Sequence, residues 1–166
     1  FYYLITKCLK LKNIKIIFIN GFLFGLGLNL INFFWLKNPF LVEDITKKYF
    51  LIGYLVPIYI SLYFGLASIT LKLFYNPKYM IIIFPIIFTI FEIIRSKLFL
   101  PFPWNLFGQV FLKYNYLIEI IRYVGIYCIT YFSLIIFLIP NLILNLYNNQ
   151  YRKLNIFYLT IFIFVI

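Results

Sequence analysis

The sequence predicts an all-α fold, a polytopic bundle of transmembrane helices, on three observations. Hydrophobic residues make up 65% of the chain and charged ones 11%, against about half and about a quarter in soluble domains. A single water-soluble core could not hide that much apolar surface, and the mean hydropathy of +1.01 agrees. The apolar residues also come in long uncharged runs, and about twenty helical residues cross a hydrocarbon core of about 30 Å. The expectation is one unit, residues 1–166, holding about four complete spans and a truncated fifth.

The first span is expected at 16–36. Gly21 and Gly25 form a GxxxG within it, with Asn29 and Asn32 continuing along the same side. Small residues let a second helix approach closely, and buried amides can hydrogen-bond across the contact, so this side is read as a packing face. The polar stretch "KNPFLVEDITKK" (37–48) is a connection outside the hydrocarbon. The second span, 49–71, places Gly53, Pro57, Ser61 and Gly65 every fourth residue on one face, with a kink expected at Pro57. A basic link with an Asn-Pro turn signal, "KLFYNPK" (72–78), leads to the third span, 79–98, whose last turns carry Glu92, Arg95 and Lys97. The second long break is "LPFPWNLFGQVFLKYN" (100–115). The fourth span, 116–146, is longer than a crossing needs, so its start is expected to be interfacial or the helix tilted. The fifth run, 154–166, is too short to cross; with Phe1 in place of a Met, the chain is expected to be a piece of something longer.

Charge narrows the function classes. A net charge of +11 raises nucleic-acid binding, but the basic residues are scattered between apolar runs, so no nucleic-acid partner is expected. There is no His, and Cys8 and Cys128 lie far apart, so a zinc site of the usual Cys/His kind is out of reach and a disulfide framework has no support; no metal and no cofactor are expected. The acid-free basic segments (Lys7 to Lys15, Lys72 with Lys78, Arg152 with Lys153) fall on one side of the membrane. The segment with Glu43 and Asp44 falls on the other, beside the Phe-Pro-Trp loop. Positive-inside logic makes the first side cytoplasmic and turns the loop outward.

"EIIR" occurs twice, at 92–95 and 119–122, once on each side of that loop. Glu and Arg at i,i+3 can meet on one helix face. Charges at membrane depth are costly, so each pair is either an ion pair that lets a helix end tolerate its charges or a functional group.

Glu92-x-x-Arg95 followed by Phe102-Pro103-Trp104 and then Gly108 resembles the apolipoprotein N-acyltransferase family, in which Glu-x-x-Arg precedes a Gly-Phe-Pro-Trp loop and a nearby Gly. "GFLFGLGLNLINFFW" (21–35) is similar to that family's third transmembrane helix. "VGIYCITYFSLIIFLIPN" (124–141), with Gly125, Tyr127 and Asn141, is similar to its helix after the loop. There are two departures: Pro101, where the family has Gly, since proline fixes φ near −65° and glycine does not, and Gln109-Val110-Phe111 after Gly108, where the family tends to have an aromatic and a polar pair. The resemblance implies a bacterial inner-membrane enzyme with the loop in the periplasm. It takes an acyl chain from a phospholipid and transfers it to the N-terminal diacylglyceryl-cysteine of a lipoprotein. Its partners would be the phospholipid donor, the diacylated lipoprotein acceptor and membrane lipids. The family's Glu–Lys–Cys chemistry belongs to a nitrilase-like domain after the seventh helix, so no catalytic residue is assigned in this chain. Phe102, Pro103, Trp104, Glu92 and Arg95 are the candidate substrate-binding residues. Two other readings stay open: a small transporter using the Glu/Arg pairs, and a non-catalytic membrane protein or gene remnant.

Overall fold

The computed structural model describes residues 10–98, 104–147 and 156. Five helices carry the fold: α1 (Ile14–Asn32), α2 (Leu55–Leu73), α3 (Met80–Lys97), α4 (Asn115–Val124) and α5 (Ile126–Tyr147). Three 3-10 segments, Phe34–Lys37, Lys47–Tyr54 and Phe107–Lys113, and a short turn of helix at Asn38–Leu41 join them; there is no strand among the described residues. The protein is an all-α membrane helix bundle.

α1 begins at a true cap, Asn13, whose side chain accepts the Lys15 N–H at 2.9 Å. Its buried residues are Ile17, Gly21, Gly25 and Asn29, one every fourth position, and this stripe lies against α2. A methyl group on Gly25 would come within 2.6 Å of the Phe64 ring, and one on Gly21 would strike Ser68 and the Phe64 carbonyl. The glycines therefore set how near the two helices come. Asn29 Nδ2 donates to Ser61 Oγ at 3.3 Å inside the contact. Asn32, expected on the same side, is exposed; α1 ends there, the chain tightens into the 3-10 turn, and Phe33 takes the buried place.

α2 enters from the 3-10 segment, so the α-helix starts at Leu55 rather than near residue 49. Pro57 therefore falls in the first turn of α2, where its missing N–H costs no helical bond. Gly53, Pro57, Ser61 and Gly65 are all buried, on one face as expected. With no water in the core of a bilayer, hydroxyls turn back to their own helix: Ser61, Ser68 and Ser133 each donate to the carbonyl four residues earlier. The shared interior is apolar, built around Ile17, Ile60, Leu71, Phe84, Leu134 and Leu138. Facing away from it, Leu62 and Leu66 on α2 and Ile82, Ile86 and Ile90 on α3 are exposed, as lipid-facing residues should be.

Ile14–Asn32 and Lys47–Leu73 are each long and apolar enough to cross a membrane, and a third crossing is supplied if the helices either side of Gly125 count as one span. That region, expected over 116–146 with an interfacial start or a tilted helix, bends by 116° between α4 and α5. Gly125 makes the break: its φ is +81°, a conformation side chains other than hydrogen rarely adopt, and its N–H closes α4 on the Ile121 carbonyl at 2.8 Å. α3 covers most of the expected 79–98 segment, with its charges confined to the last two turns. The expected fifth run, 154–166, lies outside the described residues apart from Ile156.

Candidate functional site

The last two turns of α3 bury what the rest of the bundle excludes. Arg95 is 2% exposed and Glu92 5%. The i,i+3 spacing brings Arg95 Nη2 to 3.4 Å from Glu92 Oε1. A lone buried charge is very costly, so the pair makes each partner tolerable there. Arg95 also reaches the loop, where its Nη1 donates to the main-chain carbonyl of Trp104 at 3.1 Å. The arginine thus joins the helix that enters the loop to the residue on which the loop returns.

The other stem of the loop is pinned as well. Tyr59 OH, on α2, reaches the Leu98 carbonyl at 3.3 Å and shares a 2.7 Å hydrogen bond with Tyr63 OH, one turn along. Trp104 stacks on Trp35, which follows α1, with ring centroids 5.5 Å apart and planes 24° from parallel. Both rings are about half exposed. After Trp104, Asn105 takes φ +58°, which asparagine tolerates better than most residues. Leu106, Phe107 and Gly108 then turn inward.

Gly108 seats this return segment on α5. Its N–H donates to Thr130 Oγ1 at 3.2 Å, and a Cβ in its place would lie 2.8 Å from both the Thr130 nitrogen and Oγ1. Nearby, Ser96 Oγ on α3 and Tyr127 OH on α5 share a hydrogen bond of 2.5 Å. Residues from the far end of α1, the near end of α2, the last turns of α3 and the start of α5 therefore converge on one end of the bundle, around the loop.

Of the candidate residues, the structure brings Glu92, Arg95 and Trp104 together; Phe102 and Pro103, like Pro101 and Cys8, lie outside the described residues. The second Glu-x-x-Arg behaves differently. Glu119 and Arg122 on α4 are both exposed and make no ion pair among the described residues. Sequence reasoning did not single out Tyr59, Tyr63, Ser96, Leu98 or Thr130 for this site. The signal was slight: two tyrosines at i,i+4, and single hydroxyls in apolar runs. Cys128 is a partly buried free thiol on α5, and no three His, Cys, Asp or Glu side chains gather among the described residues. What the arrangement can do chemically is hold a loop and present aromatic surface beside a buried ion pair.

An all-helical membrane domain with an aromatic loop pinned at one end is the class of protein that this fold and site define. Residues 1–139 match the family model of the apolipoprotein N-acyltransferase N-terminal domain, and the chain belongs to that family. It is 28% identical to an apolipoprotein N-acyltransferase of Rhodopseudomonas palustris over 80% of this chain and 25% of the relative. It is 27% identical to that of Rickettsia bellii over 84% of this chain and 28% of the relative. With that of Rickettsia prowazekii the identity is 31%, over 79% and 27%. The chain thus spans about a quarter of the length of the curated relatives it matches. No solved structure matches it significantly.

Proposed function

We propose that the chain forms the lipid-embedded part of an apolipoprotein N-acyltransferase in a bacterial inner membrane, with the Phe-Pro-Trp loop facing the periplasm. In the reaction an acyl chain leaves a phospholipid ester, is held as a thioester on a cysteine, and passes to the N-terminal amine of a diacylglyceryl-cysteine. The helices would hold the loop where lipid enters. Trp104, Phe102 and Pro103 would contact acyl chains. Glu92 and Arg95 would set the loop's position. The observation that carries the reading is the double pinning of the loop, at Leu98 by Tyr59 and at Trp104 by Arg95. A loop that served only to connect two spans would have no need of a buried arginine.

Trp104→Ala in a full-length protein should lower acyl transfer to diacylated lipoprotein by more than it lowers the amount of protein in the membrane. Equal loss of both, or of neither, would remove the substrate role. Residues 1–166 by themselves are expected to transfer nothing, because in this reading the nucleophile lies elsewhere. Clear transfer by this stretch would relocate the chemistry. A transporter reading draws no support from Glu119 and Arg122, which are exposed where Glu92 and Arg95 are buried.

A further inference from the structure

α4 is ten residues long, about 15 Å, and its residues divide by side. Ile120, Ile121 and Val124 fall on one side at 100° per residue, and Glu119 and Arg122 on the other. Tyr116 and Tyr123 share one boundary between them, and Ile118, 45% exposed, takes the other. The apolar side is not covered by the bundle: Ile120 is 45% exposed and Val124 48%. At Gly125 the chain turns through 116° into α5. α5 is largely apolar, and Phe132 on it is exposed. If α5 runs along the membrane normal, α4 lies nearer to the membrane plane than to that normal.

We propose that α4 is an interfacial helix, seated in the headgroup layer with its apolar side on the acyl chains and its Glu119/Arg122 side toward water. Three features point to lipid rather than to a second polypeptide. The exposed apolar side leads directly through Gly125 into an apolar helix that itself carries exposed large apolar residues, Phe132 among them. Two tyrosines line one edge of it, where amphipathic rings settle in membranes. The charges on its polar side cancel, so insertion is driven by apolar area and not by attraction to anionic lipids, unlike the usual lysine-rich surface helix. Gly125 supplies the turn that lets one apolar stretch both lie in the surface and cross it. The seat is on the same end of the bundle as the loop, so the membrane surface would fix the height of the segment on which the loop returns.

The test uses single nitroxide labels in the full chain, with Cys8 and Cys128 replaced by serine, in phosphatidylcholine vesicles. Labels at Ile120 and Val124 should meet oxygen more than a water-soluble nickel chelate, and both should report the same shallow depth. Labels at Glu119 and Arg122 should meet the chelate instead, and one at Phe132 should lie deeper than any on α4. Adding phosphatidylglycerol should leave the depths unchanged. A depth that grows steadily from 116 to 124 would make α4 part of a straight span and overturn the proposal. So would chelate access at all four α4 positions. Protection of Ile120 and Val124 from both reagents would assign the face to a protein, and a marked deepening on adding anionic lipid would overturn the apolar basis of the seat.

Discussion

The tetrapeptide Glu-Ile-Ile-Arg occurs at 92–95 and again at 119–122, and the two copies have opposite fates. In α3 both charges are buried, pair with one another and reach out to the loop through Trp104. In α4 both are exposed and unpaired among the described residues. Identical spacing gives each copy the same chance of an i,i+3 contact. What differs is what the helix is packed against. α3 sits between α2 and α5, where an unsatisfied charge has no water to turn to, so the pair must form. α4 leaves both charges exposed; in the interfacial seat proposed above water satisfies both groups, and a pair gains little. A motif in a membrane chain thus takes its meaning from depth.

The strongest way to break this comparison is to remove one arginine at a time. Arg95→Gln leaves Glu92 buried without its cation, which should cost about 3–5 kcal/mol of stability. Arg122→Gln should stay within about 0.5 kcal/mol, as for other exposed substitutions. Denaturant titration of the detergent-solubilised chain, followed by circular dichroism, measures both. The double change Glu92→Gln/Arg95→Gln should recover part of the loss, since no lone charge then remains. Equal effects of Arg95→Gln and Arg122→Gln would mean that burial does not separate the two copies.

A smaller effect is expected where the first copy's loop is seated. Gly108→Ala places a methyl group against the Thr130 nitrogen and hydroxyl, and the backbone there cannot yield as a side-chain tip could. Overpacking of this kind costs about 1–3 kcal/mol. Its signature should be local: faster hydrogen exchange at residues 104–113, with the α1–α2 contact unchanged. Unchanged exchange at 104–113 would show that the return segment is not held through Gly108.

Much of this was legible because it depends on short-range geometry. A glycine every fourth residue in an uncharged run makes a packing face whatever the partner is, so Gly21, Gly25 and Asn29 could be read before α2 was known. The Glu92–Arg95 contact follows from helical spacing alone. Asn32 misled because the wheel assumes that the helix continues, and α1 stops there. Gly125 was half legible for a different reason: the excess length of 116–146 left an interfacial start or a tilted helix, and nothing local chose between them. A glycine in an apolar run looks the same whether it lets a helix approach, as Gly21 does, or breaks the helix with a positive φ. The pins at Tyr59, Leu98 and Thr130 join residues far apart in the chain, 39 positions for the first pair and 22 between Gly108 and Thr130. No local pattern announces such partners.

The smallest effect is also the most direct reading of the loop. The chain has two tryptophans, Trp35 and Trp104, and they stack on each other. Aromatic pairs add about 0.5–1.5 kcal/mol beyond the area they bury, so Trp104→Phe should change stability little. The spectroscopic consequence is larger than the energetic one, because two indoles this close couple their transitions. The wild-type chain should show a tryptophan–tryptophan signal in its circular dichroism that either Trp35→Phe or Trp104→Phe removes. Arg95→Gln should weaken that signal in whatever fraction remains folded, since the Trp104 carbonyl loses its donor and the ring its fixed height. Arg122→Gln should leave it intact. If both arginine changes left the signal untouched, the stack would hold the loop by itself, and the buried pair of α3 would be a device for the helix rather than for the loop.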